Sequence, residues 1–400
     1  MRQATAFLKD LSPPAFVAGF IAVMVGYISS VAIVFQAAEV VGANSAQVNS
    51  WIGALGIGMG ASTIILSLYY KAPILTAWST SGAALVATSA TTASLSQLTT
   101  AFMFSALLII ISGVTGWFEK IMDRIPISLT AAMLAGILVQ FGLNVFDSMQ
   151  TELILCLAMF VAYLLLKLAV PNYAVIGALV SGVFVAWFSG FEFNAVTLSL
   201  TQPVLVVPGF NLATLLSVGV PLFVVTMTAQ NIPGIATLRT AGYNTPVSPV
   251  ITTTGVTTLL LAPFGCFGLN MAAITAAICM GENAGPDPAR RYTASVVAGV
   301  FYLLLGIFGA TVAALLAAVP KELILTIAGL ALFTTIASSL ATALSEVKQR
   351  EPALITFLMT ASGISLFGIG AAFWGLVFGG IALLIATIGT QYKAKYLAND

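Results

Sequence analysis

Apolar runs of about twenty residues follow one another along the whole chain. Each is long enough to carry an α-helix across a bilayer core of roughly 30 Å at about 1.5 Å per residue. Water is excluded as the surrounding solvent. With 60% hydrophobic residues and 7% charged, the chain has far too little charge to cover a soluble surface, where roughly a quarter of residues are charged. Bounded by charge, Pro and Gly, fourteen segments read as spans. The first seven cover 15–38, 48–69, 73–90, 97–117, 127–146, 151–168 and 172–189. The second seven cover 214–237, 247–262, 266–280, 292–317, 322–344, 352–369 and 371–391.

Basic residues test this count, because cytoplasmic loops collect Lys and Arg. With the N-terminus inside and sides alternating, Arg2, Lys9, Lys71, Lys120, Arg124, Lys167, Arg239, Arg290, Arg291, Lys348, Arg350, Lys393 and Lys395 fall inside. Only Lys321 falls outside, so both termini are expected in the cytoplasm. A long external connection, about 190–213 and carrying Glu192, separates the two sets of seven. An odd number of spans per half inserts the halves in opposite orientations, which is an inverted repeat. Spacing agrees: Pro126 precedes Ala135-Gly136 much as Pro320 precedes Ala328-Gly329. Pro73 likewise precedes Ser81-Gly82-Ala83-Ala84 as Pro263 precedes Met271-Ala272-Ala273-Ile274.

Several function classes drop out. A net charge of +1 gives no reason to expect a nucleic-acid partner, and there is no histidine to serve as base, proton relay or metal ligand. Cys156, Cys266 and Cys279 lie far apart within apolar runs, which suits packing and not a metal site or disulfide framework. The polar start, with Arg2, Lys9, Asp10 and Ser12-Pro13-Pro14, leads into a full span instead of a short signal-peptide core. An enzyme would need a nucleophile–base pair or a metal, and neither can be assembled here, so no catalytic residue, metal or cofactor is expected.

Spans 3 and 10 hold corresponding places in the two halves. Each opens on a polar or Gly-rich stretch, Pro73-Ile74-Leu75-Thr76-Ala77-Trp78-Ser79-Thr80-Ser81-Gly82 and Pro263-Phe264-Gly265-Cys266-Phe267-Gly268-Leu269-Asn270, before Ala-rich helical sequence. The expectation is an extended lead-in followed by a half-helix that begins in the middle of the membrane. Irregular backbone survives at that depth only where it is buried or lines a cavity. Two helix N-termini converging there would hold an anion with N–H groups and dipoles, without a cationic side chain. The alternative is two ordinary short spans with Ser, Thr and Gly packing contacts.

Span 8 carries Thr226-Met227-Thr228-Ala229-Gln230-Asn231-Ile232-Pro233-Gly234. Adjacent amides followed by Pro and Gly break the helical bonding pattern, and they face either a cavity or a neighbouring helix. Its counterpart, span 1, offers the weaker signals Tyr27, Ser29, Ser30 and Gln36. Trp78, Phe264, Phe267 and Phe35 are the ring-binding candidates, with Trp78 and Phe264 ahead because they sit in the irregular stretches.

These segments resemble the bacterial benzoate–proton symporter (BenE) family. The resemblance is carried by Trp78-Ser79-Thr80-Ser81-Gly82-Ala83-Ala84-Leu85, Gln230-Asn231-Ile232-Pro233-Gly234-Ile235-Ala236, Ala273-Ile274-Thr275-Ala276-Ala277-Ile278-Cys279 and Pro286-Asp287-Pro288-Ala289-Arg290-Arg291. It runs from Ala18-Gly19-Phe20 to Ala372-Phe373-Trp374-Gly375. It implies proton-coupled import of benzoate, or a similar small aromatic carboxylate, across the bacterial inner membrane. It also implies kinship with nucleobase and sulfate-type anion transporters: an all-α polytopic fold of two inverted seven-span repeats with half-helices in spans 3 and 10. A core domain (15–117 and 214–317) would move against a gate domain (127–189 and 322–391), and the wider superfamily suggests a homodimer formed through the gate.

The substrate residues implied are Tyr27, Trp78, Ser79, Thr80, Ser81, Gly82, Gln230, Asn231, Phe264, Gly268, Leu269 and Asn270. Three positions depart from the family pattern. Proline commonly stands at the place of Ser81, histidine in some members at that of Phe267, and Pro-Glu-Ala-His often at that of Glu282-Asn283-Ala284-Gly285. Gly281-Glu282-Asn283 imitates a nucleobase-transporter signature, but by position the counterpart is Gly268-Leu269-Asn270. That triplet lacks the acid a nucleobase needs as acceptor, which favours a carboxylate.

Acidic residues inside spans are the usual proton carriers. Glu39, at the end of span 1, is the one candidate. The other route carries the proton with the cargo itself, held by Asn270, Thr80 and Gln230. A passive anion channel, or a transporter of another small anion or a nucleobase on the same fold, remains the alternative function.

Overall fold

The computed structural model describes residues 7, 9–28, 30–89, 93–116, 126–191, 197–364, 366 and 371–397. Arg2, Ser29, Lys120, Arg124 and Glu192 lie outside the described residues. Helices α1 (Pro13–Ile28), α2 (Val31–Val40) and α3 (Ser45–Tyr70) lead into strand β1 (Thr76–Trp78), α4 (Thr80–Ser89) and α5 (Leu95–Thr115). Next come α6 (Ile127–Thr151), α7 (Leu153–Ala169), α8 (Ala174–Phe188) and α9 (Leu212–Arg239). The chain continues through α10 (Val247–Leu261), β2 (Leu269–Met271), α11 (Ile274–Met280), α12 (Tyr292–Ile307) and α13 (Gly309–Ala317). It closes with α14 (Lys321–Ala343), α15 (Arg350–Ala361) and α16 (Ala371–Leu397).

Among the described residues eight helices are long and apolar enough to cross a membrane, or nine if α12 and α13, bent by 67°, form one span. Lipid as solvent shows in what is left outside. Leu168 is 86% exposed and Phe188 81%, an arrangement that water would penalise and hydrocarbon does not.

The structure departs from simple spans in four ways, each with an identifiable physical reason. The span expected over 15–38 breaks between α1 and α2. There Ser30 Oγ donates to the Gly26 carbonyl (2.7 Å) and accepts from the Trp78 indole N–H (2.8 Å). In α9 two π-helical turns, Leu215–Gly219 and Thr226–Asn231, interrupt the helix. Pro233 follows the second, and its missing N–H removes one regular helical bond. The α12–α13 bend is held by the connection that precedes α9. Thr201 donates through its N–H to Ile307 O (2.8 Å) and through Oγ1 to Gly306 O (2.9 Å), while Ala310 N–H donates to Thr201 Oγ1 (3.2 Å).

Spans 3 and 10 bring the fourth difference, a ribbon of two strands inside an otherwise helical protein. β1 and β2 pair antiparallel, Thr76 opposite Met271, Ala77 opposite Asn270 and Trp78 opposite Leu269. Ala272 N–H donates to Leu75 O (2.9 Å) and Ser79 N–H to Gly268 O (2.8 Å). In antiparallel pairing bonded and non-bonded pairs alternate, so the N–H groups of Thr76, Trp78, Leu269 and Met271 point away from the ribbon. Apolar surroundings leave them no water, and helices supply side-chain acceptors instead. Thr63 Oγ1 takes Thr76 (2.9 Å), Met59 Sδ takes Trp78 (3.1 Å), Thr258 Oγ1 takes Leu269 (3.0 Å) and Asn231 Oδ1 takes Met271 (2.9 Å).

The helices pack in matched pairs. α3 lies against α12 as α5 lies against α10; α6 meets α14; α7 packs on α8 as α15 packs on α16. The α3–α12 contact is close because glycines remove the side chains. A Cβ on Gly60 would stand 2.6 Å from Gly299 O, and one on Gly56 2.6 Å from Gly306 Cα.

Candidate functional site

Where the ribbon ends, two short helices begin. α4 starts at Thr80 and α11 at Ile274. Ser79 caps α4, its Oγ accepting from Gly82 N–H (3.0 Å) and from Thr226 Oγ1–H (3.2 Å). The remaining N–H groups at the start of α4 lack helical partners, as at any helix N-terminus. A cavity of about 330 Å3 opens beside these two starts. Its wall takes Tyr27 and Ser30 from the α1–α2 break, Met59 from α3, Trp78 from β1, and Thr80 and Ser81 from α4. Gln230 and Pro233 of α9, Thr275 of α11, Tyr302 of α12 and Thr335 of α14 complete it, with small apolar residues between them. None of its described lining residues is charged.

The aromatic part of the wall is fixed. Tyr27 and Trp78 lie with ring centroids 4.8 Å apart, and the Trp78 indole is pinned to Ser30. The polar part is partly committed: Gln230 Nε2 donates to Ser81 Oγ (3.0 Å). Among the described residues, the hydroxyls of Thr80, Thr275 and Thr335 have no hydrogen-bond partner, and each lines the cavity. The site therefore offers aromatic faces, free hydroxyls, an amide and the positive end of a ten-residue helix to whatever enters.

The sequence-derived residues divide into wall and framework. Tyr27, Trp78, Thr80, Ser81 and Gln230 line the cavity. Ser79, Gly82, Asn231, Phe264, Gly268, Leu269 and Asn270 do not. Ser79 is the cap of α4, and Gly82 lies beneath it, where a Cβ would meet Leu222 Cδ1 at 2.6 Å. Asn231 and Asn270 are fully buried. Asn231 holds β2. Asn270, in the amide orientation that suits its neighbours, accepts from Ser79 N–H and donates to Met271 O, both at 3.0 Å. Gly268 and Leu269 belong to the ribbon, and the Phe264 carbonyl accepts from Ser50 Oγ (2.9 Å). Phe267 is fully buried, 5.9 Å from both Trp51 and Phe102. Glu282 sits in a 3-10 turn just beyond α11, where Arg291 holds the carbonyls of Met280 and Gly285 at 2.8 Å.

Thr275, Tyr302 and Thr335 join the wall beyond the site residues that the sequence singles out. Each is a polar side chain within an apolar run, which was a visible signal, but nothing in the sequence says which way it faces.

Glu39 lies elsewhere. A second cavity, about 530 Å3, is lined by Gln36, Glu39 and Val40 of α2, by Asn144, Asp147, Ser148 and Thr151 of α6, and by Lys321, Glu322, Ile324 and Leu325 of α14. The Gln36 side-chain Oε1 is buried there without a hydrogen-bond partner among the described residues. α14 serves both cavities, the second through 321–325 and the first through Ala331, Leu332 and Thr335. Between them Ala328 and Leu330 are fully buried, and at Gly329 a Cβ would stand 2.3 Å from Phe141 O. The two cavities are thus separated by tight α6–α14 packing.

Comparison with known proteins gives a consistent picture. Residues 9–385 match the family described as benzoate membrane transport protein (BenE). An Escherichia coli K12 protein, inner membrane protein YdcO, is 46% identical over 382 residues, covering 95% of this chain and 98% of that one. The benzoate membrane transport protein of Acinetobacter baylyi is 38% identical over 379 residues, covering 94% and 96%. Among solved structures, the transmembrane domain of the cyanobacterial bicarbonate transporter BicA superposes with a TM-score of 0.57 at 15% identity, covering 94% of this chain and 97% of that one. The anion transporter SLC26A9 gives 0.60 at 12% identity, covering 94% and 65%. At such identities the structural likeness speaks for the fold alone.

Proposed function

The chain belongs to the benzoate membrane transport protein family, and on that premise we propose that it imports benzoate or a similar small aromatic carboxylate with a proton. The observation that carries this reading is the first cavity. A helix N-terminus with free hydroxyls and the Gln230 amide meets a fixed Tyr27–Trp78 aromatic wall, with no charged side chain among the described lining residues. An aromatic acid fits both halves. Its ring packs on the indole and phenol faces, and its carboxylate takes the N–H groups and hydroxyls of α4. A charge at a helix N-terminus is stabilised by about 0.3–1 kcal/mol at a surface and up to ~2 kcal/mol when partly buried. The site holds an anion without holding it too tightly to release.

The architecture we propose around this site has fourteen spans in two inverted sets of seven, with α4 and α11 as half-helices starting in mid-membrane. The matched helix pairs support it, since exchanging the two halves turns the α3–α12 contact into α5–α10 and α7–α8 into α15–α16. The antiparallel ribbon between spans 3 and 10 supports it as well. In this arrangement 15–117 and 214–317 form the core, and 127–189 and 322–391 form the gate. Both termini face the cytoplasm, and the protein sits in the inner membrane. The first cavity then opens toward the cytoplasm and the second toward the outside. The coupling proton travels with the cargo or through Glu39 in the second cavity.

Uptake of radiolabelled benzoate into proteoliposomes, with an inward proton gradient and protein-free controls, tests the proposal. Accumulation that collapses on adding a protonophore is the expected result. Protein-dependent uptake without accumulation would indicate a channel or uniporter. Uptake no greater than in controls, with competition by uracil, sulfate or another anion for a different cargo, would overturn the assignment.

A further inference from the structure

Threonines on helices in this protein usually return their hydroxyl to the carbonyl one turn back. Thr99 does so to Leu95 O (2.9 Å), Thr257 to Thr253 O (2.8 Å) and Thr356 to Pro352 O (3.0 Å). Thr80 and Thr275 stand at helix starts, where no carbonyl one turn back is available. Thr335 is different. It lies in the middle of α14, where Ala331 O is within range of such a bond, yet its hydroxyl makes none among the described residues, and the residue lines the first cavity. The adjacent Thr334 points to another partner and accepts from Lys167 Nζ. Thr335 is therefore the one uncommitted polar group that α14 brings to the cavity, since the other α14 lining residues are Ala331 and Leu332.

Its place on the helix adds a second argument. Everything else polar in that wall comes from α1, the α1–α2 break, β1, α4, α9, α11 and α12, whereas α14 packs along α6 and continues to the second cavity. Among the described helices and strands, α14 alone lines both cavities. An ionised carboxylate has about four acceptor sites. The start of α4 approaches from one side only, so sites are left for a donor on the facing wall.

We propose that the Thr335 hydroxyl donates a hydrogen bond to the cargo carboxylate, so that the bound anion joins α14 to the α4 N-terminus. This rests on the aromatic-carboxylate reading of the cavity. Thr335 is then a substrate-contacting residue, and its effect belongs to binding more than to turnover.

The test compares wild type with Thr335→Val, Thr335→Ser and Thr334→Val in proteoliposomes. Radiolabelled benzoate serves as probe, with equilibrium binding by scintillation proximity measured beside the KM and Vmax of uptake. Valine keeps the shape of threonine and removes the donor. Thr335→Val is expected to raise Kd and KM together by about tenfold, the size of a lost hydrogen bond to a charged group, with Vmax within about twofold. Thr335→Ser and Thr334→Val should stay within about twofold of wild type. Unchanged affinity in Thr335→Val, or equal loss in Thr335→Ser, overturns the assignment, because the second result would make the methyl group and its packing the cause. Wild-type protein that binds no benzoate at all overturns the aromatic-acid reading, and this inference falls with it.

Discussion

Replacing Thr258 by valine tests whether the ribbon is held by side chains of its flanking helices. Thr258 is fully buried on α10; its Oγ1 accepts from the Leu269 N–H at 3.0 Å and donates to Thr254 O at 2.8 Å. Valine preserves the shape, so little cavity or overpacking contribution arises. What changes is that the Leu269 N–H, in a fully buried residue of β2, loses its acceptor. An unsatisfied buried donor costs about 1–3 kcal/mol. Thr254 O loses a second donor only. Thr257→Val is the matched control, because Thr257 Oγ1 merely returns to Thr253 O (2.8 Å) and its loss should stay within ~0.5 kcal/mol.

Two assays read this difference. In detergent, the thermal midpoint of Thr258→Val should fall by several degrees against the control. In hydrogen exchange by mass spectrometry, the peptide holding Leu269 should exchange about 5- to 150-fold faster, the same free energy expressed as an opening population. Because Leu269 faces Trp78 across the ribbon, benzoate affinity should also weaken. If Thr258→Val matches Thr257→Val in midpoint and in Leu269 exchange, the ribbon is not held in this way, and the reasoning about its outward N–H groups fails.

Three further outcomes are expected. Gly60→Ala places a Cβ 2.6 Å from Gly299 O and from Leu303 Cγ; chemical denaturation in micelles should show a loss of about 1–3 kcal/mol from overpacking, and an unchanged midpoint would mean α3 and α12 can separate freely. Thr201→Val removes the hydroxyl that serves Gly306 O and Ala310 N–H at the bend; about 1–3 kcal/mol should be lost, with proteolysis of the 197–211 connection speeding up in the same preparation. Glu39→Gln should abolish uphill benzoate uptake yet leave benzoate exchange intact if the coupling proton uses the second cavity, and an unchanged pH dependence would assign the proton to the cargo.

Much of this protein could be read before any fold was drawn. The membrane as solvent, the helical segments and their approximate limits follow from apolar runs, because a bilayer admits few other solutions for an exposed backbone. The irregular stretches at 73–82 and 263–270, and the broken pattern around Gln230-Asn231-Ile232-Pro233, were visible as polar residues, Gly and Pro where a plain span would have none. Which groups those residues bond was visible only in the tertiary structure. Asn231, Asn270 and Ser79 read in sequence as ligand candidates, and the structure shows that each also satisfies a buried backbone N–H of the ribbon or the α4 start.

Side-chain direction accounts for the rest. Thr335 and Thr334 are neighbours of one kind in sequence, yet one lines the cavity and the other meets Lys167, because a helix turns about 100° per residue and only its packing partner sets the angle. Tyr302 and Thr275 reach the cavity for the same reason. Pairing of β1 with β2 across nearly two hundred residues of chain likewise has no local signal. The sequence by itself determined where the chain is helical, which solvent it meets and which short stretches cannot be plain helix. Only the tertiary structure decided which polar groups are spent holding those stretches in place and which remain free to face a cargo.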